Sequence, residues 1–157
     1  GGVSLTVAFS SLLVRGGVRA SDIGAVRGGQ VVPLPEPWVI DVSHPGTRCV
    51  REGQPIIFWR TPADQPRQLD IAPVNRAWRL TAPWPGGVDR LAAPKELPLV
   101  TRATYVIDIG DGPVAITLLV IPGSFENDRM RAAWMFEKSC NLQAETLIKT
   151  LGAQALK

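Results

Sequence analysis

The sequence predicts a mainly β fold: an antiparallel β-sandwich of about eight or nine short strands, with one long C-terminal α-helix packed on it. Three observations carry this. Fourteen prolines and fifteen glycines fall between short apolar runs, a spacing that suits strands joined by turns better than a helical bundle. Within several runs apolar and polar residues alternate, the period of a strand. After Pro122-Gly123 the period lengthens to that of a helix and holds to about Leu151. At 157 residues the chain has the length of one domain. We read it as a single domain over 1–157, with N-terminal strands over 3–50, a sandwich core over 55–121 and the helix over 126–151.

In order, Leu5, Val7 and Phe9 alternate with Ser4, Thr6 and Ser10 in a strand over Val3–Val14. Ile23–Leu34 reads as two short strands broken at Gly28-Gly29, and Pro37–Ser43 as another, closed by a turn at His44–Gly46. Strands over Pro55–Arg60, Arg67–Ala72 and Arg76–Ala82 follow, each bounded by Pro, Asp or Asn, and then a proline-rich connection over Pro83–Pro98. Thr104–Ile121 is the clearest hairpin, because Gly110 and Gly112 supply the positive φ that a tight turn needs. Ser124 or Asn127 is placed to cap the helix, and Gly152 stands where a helix C-terminus favours glycine.

Composition narrows the function. The net charge of +3 comes from thirteen arginines and four lysines scattered without a stripe, so no basic footprint for nucleic acid is expected. The longest apolar run, Ala115–Pro122, is far too short to span a bilayer. The chain opens GGVSLTVAF, with neither Met nor a basic n-region. We read this as the trimmed start of an exported chain, Gly1 being a tag remnant, so that any membrane attachment would run through a segment missing here.

Catalytic groups are few. The chain has one histidine, His44, and two cysteines, Cys49 and Cys140, one ligand short of a closed tetrahedral metal site unless a carboxylate joins. Ala133, Phe136, Cys140, Ala144, Leu147 and Leu151 form one apolar stripe, which turns Cys140 toward the sheet, away from the exposed basic niche a reactive thiolate prefers. The expected state is a Cys49–Cys140 disulfide, as two cysteines in an exported β protein usually pair. The alternatives are two separate buried thiols in a cytosolic protein, and a Cys140–His44 nucleophile pair. Gly110–Ala115 fits the G-x-G-x-x-A spacing, but a strand and not a helix follows, so it is a hairpin turn. Trp59 and Trp78 are expected in the core. Trp84, between prolines on a connection, is expected at the surface, where with Arg79 and Arg90 it would suit a glycan or partner-protein contact.

From Pro55 to Ile121 the order of features resembles an immunoglobulin or fibronectin type III module of bacterial envelope proteins. A strand ending in Trp59 is followed by Arg67–Ala72 and the Trp78 strand, and after a proline-rich passage Leu99 and Tyr105 stand six apart, similar to the tyrosine corner of such sandwiches. The proline or glycine usually found between that Leu and Tyr is missing. Asp22–Leu34 is similar to the short strands of FecR-type envelope regulators. The resemblance implies an immunoglobulin-like sandwich in the periplasm or outside the cell, without catalysis or cofactor. Its partner would be another envelope protein or, in the alternative, a glycan bound by exposed tryptophan. An uncharacterised Cys/His enzyme is the further alternative.

Overall fold

The structure, a computed structural model, describes residues 32–155. The strand expected over Val3–Val14 and most of Ile23–Leu34 lie outside the described residues. What is described is mainly β, with two sheets followed by two helices. The strands are β1 (Val39–Asp41), β2 (Gly46–Arg51), β3 (Ile57–Trp59), β4 (Arg67–Pro73), β5 (Leu80–Trp84), β6 (Arg90–Ala92), β7 (Ala103–Asp108) and β8 (Val114–Ile121); the helices are α1 (Asp128–Glu137) and α2 (Asn141–Ala155). A three-stranded sheet runs β1-β3-β6 and a five-stranded sheet β2-β8-β7-β4-β5. Among the described residues no helix is long and apolar enough to cross a membrane.

The pairing is not purely antiparallel: β1 runs parallel to β3, and β2 parallel to β8. The cause is one crossing segment. The chain leaves the small sheet at Asp41, turns through Ser43–Pro45, and re-enters at the edge of the large sheet from Gly46 onward. The β7–β8 hairpin forms as expected, with Gly110 at φ 106° and Gly112 at φ 105°. The Asp108 carboxylate accepts from both their N–H groups, at 2.6 and 3.3 Å.

Alternation along the large sheet builds two apolar layers. Leu69, Ile71, Tyr105, Ile107, Ile116 and Leu118 face the small sheet and share one buried cluster with its Ile40 and Phe58. On the opposite face, Cys49 and Ile121 lie in a second cluster with Ala132, Met135 and Phe136 of α1, Cys140 between the helices, and Ala144 and Leu147 of α2.

Three further expectations are corrected. The strand expected over Arg76–Ala82 begins only at Leu80, because Asn75 accepts the Ala77 N–H (3.0 Å) and Arg76 takes φ 58°, making 74–77 a turn. The stretch Pro83–Pro98 is not all connection, since it holds the end of β5 and the whole of β6. The single long helix is two. The Ser139 N–H reaches the Phe136 carbonyl (3.1 Å), the Cys140 N–H reaches the Met135 carbonyl (2.8 Å), and Ser139 takes φ 72°. These are the paired bonds of a Schellman stop, here with serine in the left-handed position that glycine usually fills. Asn127 caps α1, accepting from the Met130 N–H at 3.0 Å. Gly152 lies inside α2 and ends nothing.

Candidate functional site: the β1–β2 corner and the helix junction

The most polar buried corner lies where the crossing segment meets the α1–α2 junction. Asp41 ends β1 and is 5% exposed. One of its carboxylate oxygens accepts from the Ser43 N–H at 2.9 Å, a local turn bond that aspartate readily makes. The other lies 2.6 Å from His44 Nδ1.

Arg48, two residues into β2, clamps this loop against its own strand. Its Nε donates to the Asp41 carbonyl (3.3 Å), Nη2 to the His44 carbonyl (2.7 Å) and Nη1 to the Thr47 carbonyl (3.1 Å), and Nη2 stands 4.0 Å from the Asp41 carboxylate. Burial lowers the Arg48 pKa from its ordinary value, and the Asp41 charge partly restores it. Gly46 is required beneath this clamp: it has φ 142°, and a Cβ there would stand 2.7 Å from Arg48 Nη1.

Across a cavity of about 220 Å³, lined by Asp41, His44 and Arg48, lie Ser139 and the first turn of α2. Cys140 also lines it, joined by a disulfide to Cys49 of β2. Beside the disulfide is the buried Gln143, which sequence reasoning missed. Its Oε1 accepts from the Cys49 N–H (2.8 Å), and its Nε2 donates to the carbonyls of Cys49 (2.8 Å) and Pro37 (3.0 Å). Since β2 is an edge of the large sheet, the amide occupies the backbone groups that a further strand would bond. Nothing in a lone glutamine on an otherwise apolar helix face marks that role in advance.

His44 and Cys140 do share one cavity. The disulfide leaves Cys140 without the thiol that a nucleophile pair would need, which removes that alternative from this structure. His44 Nε2 is buried and has no hydrogen-bond partner, so Ser139 is not activated by it either. The arrangement holds chain segments together and shows no nucleophile beside a base. Among the described residues no group of three His, Cys, Asp or Glu side chains could hold a metal ion.

The surface candidates fare unevenly. Trp84 is fully buried, which corrects the expectation of an exposed ring. It is the last residue of β5 on the inward-facing row with Leu80 and Ala82, and its indole N–H donates to the Val88 carbonyl at 2.7 Å. The guanidinium of the buried Arg60 lies 5.3 Å from the ring and donates to the carbonyls of Gln65, Pro85 and Val88. Arg79 and Arg90 are exposed but sit apart: Arg79 precedes β5 and pairs with Asp70 (3.1 Å), while Arg90 is on β6 and pairs with Glu36 (3.0 Å). Trp59 is buried as expected; Trp78 is half-buried, its ring 5.9 Å from that of Tyr105.

No protein-family model matches this chain, and no curated protein is similar enough in sequence to count as a relative.

Proposed function

We propose that the chain is an exported, immunoglobulin-like sandwich domain of the bacterial envelope, acting without catalysis in protein interaction or signal relay. The observation that carries this reading is the Cys49–Cys140 disulfide, both of whose cysteines are buried. Such a bond persists in oxidising compartments and is rare in the reducing cytosol. The immunoglobulin-like reading is supported at Tyr105, whose hydroxyl donates to the Pro98 carbonyl (2.8 Å) and accepts from the Val100 N–H (3.1 Å). A tyrosine near the start of a strand, bonded back to the chain just upstream, is the tyrosine-corner arrangement. The run β8-β7-β4-β5 beside a parallel β2 also suits a variable-type sheet. The parallel β1–β3 pair departs from that pattern.

The reading is tested by trapping thiols with acid and alkylating them in cells that make the protein at its natural level. The expected result is no alkylated cysteine without prior reduction. Two alkylated cysteines would place the chain in a reducing compartment and end the proposal.

A further inference from the structure

Two loops meet at the Tyr105 end of the large sheet. The β4–β5 loop is held there by the Val74 N–H bonded to the Thr104 carbonyl (3.3 Å) and by the ring of Trp78 against Tyr105. The β6–β7 loop is held by the Tyr105 hydroxyl, through Pro98 and Val100. At their tips Val74 is 61% and Val100 58% exposed, the highest values among the large apolar side chains described, and Leu99 is 40% exposed. Those values mean side chains that project into solvent.

An arginine follows each tip within two residues. Arg76 and Arg102 are both exposed and stand one on each loop, at φ 58° and 67°. Neither has an ion pair or side-chain hydrogen bond among the described residues. Arg79 is neutralised by Asp70, and both line a cavity with Arg76 and with Asp108, at the other end of β7 from these loops. The exposed Lys95 and Glu96 offset one another. The loop end is therefore apolar at its tips and positive around them.

We propose that this end of the domain docks peripherally on an anionic lipid bilayer. Valine and leucine tips insert among acyl chains, the half-buried Trp78 lies at headgroup depth, and Arg76 and Arg102 meet the lipid phosphates. The residue types separate this occupant from a protein. Valine and leucine are under-represented among the side chains that dominate protein–protein binding, and projecting aliphatic tips would need matching pockets in a partner, whereas a fluid interface accepts them as they are. This goes beyond the compartment reading and is measured on the purified protein, so either can fail while the other stands.

The experiment is sedimentation of the disulfide-intact protein with vesicles of phosphatidylglycerol and phosphatidylethanolamine, or of phosphatidylcholine alone, at low and high salt. Binding is expected on the anionic vesicles only, and to fall as salt rises. R76Q/R102Q is expected to weaken it about 30-fold, and V74S/V100S at least about tenfold. Both pairs are exposed, and an unchanged thermal transition confirms that each variant is folded. The proposal is overturned by equal binding to neutral vesicles, by anionic binding that neither variant weakens, or by no binding at millimolar lipid. Salt-sensitive binding to polyglutamate with none to vesicles would overturn it in favour of an acidic protein partner.

Discussion

The side-chain amide of Gln143 pairs with both backbone groups of Cys49, accepting from its N–H and donating to its carbonyl, each at 2.8 Å. Three residues earlier on the same helix-junction segment, Cys140 is bonded to the Cys49 sulfur. One residue of an edge strand is thus held covalently through its side chain and by hydrogen bonds through its backbone. The helical pair cannot leave β2 without breaking both.

Gln143→Ala strips the partners from three buried backbone groups, and leaving buried polar groups unpaired is what makes such a change costly. A loss of roughly 2–4 kcal/mol is expected in urea unfolding with the disulfide intact. Gln143→Glu keeps an acceptor for the Cys49 N–H but sets a carboxylate against the carbonyls of Cys49 and Pro37. It should be destabilised at neutral pH and partly recover in acid. A cost below the error of the measurement for both variants would mean that the amide contributes nothing.

Asp41 collects three groups: the Ser43 N–H, His44 Nδ1 and, at 4.0 Å, the Arg48 guanidinium. Asp41→Ala leaves the Arg48 cation buried with no carboxylate beside it, a change expected to cost about 3–5 kcal/mol by thermal or urea unfolding. Equal stability of the variant and the parent would remove Asp41 as the keystone of the corner.

At the helix junction, Ser139 occupies a left-handed conformation that glycine adopts without strain. Ser139→Gly is expected to stabilise the protein by about 1 kcal/mol, visible as a raised Tm. A lowered Tm would show that the side chain serves the junction in a way the backbone does not reveal.

Burial pushes the Glu145 carboxyl above its ordinary pKa, and Lys149, one turn along α2, pulls it partly back. A raised carboxyl pKa means that the folded chain holds this proton more tightly than the unfolded chain. Its contribution is therefore complete below the ordinary glutamate pKa and is lost as pH rises through the elevated one. Glu145→Gln should melt higher than the parent at neutral pH, the gap closing below about pH 4. A gap that widened in acid would contradict the sign.

The sequence made legible what period and turn chemistry encode. Alternation located β4 and the β7–β8 hairpin, and glycine located the hairpin turn. The apolar stripe brought Phe136, Cys140, Ala144 and Leu147 to the sheet, and it missed by one position only at the start of α1, with Ala132 buried in place of Ala133. The helix break stayed hidden because the Schellman stop uses Ser139 instead of glycine. Trp84 was misplaced because Pro83 and Pro85 read as a loop, although an edge strand tolerates a proline that owes its sheet no N–H. Gln143 acts through Cys49 and Pro37, and Arg60 largely through Pro85 and Val88, all far along the chain, and no local pattern carries that.

The central claim, a helical pair stapled to the edge of the large sheet, is tested most directly by tryptic mapping of the unreduced, alkylated protein. Cleavage after Arg48 and Arg51 isolates Cys49–Arg51, and cleavage after Lys138 and Lys149 isolates Ser139–Lys149. The account predicts these two peptides as a single linked species that separates on reduction. Both peptides recovered apart, each carrying the alkyl label, would contradict it.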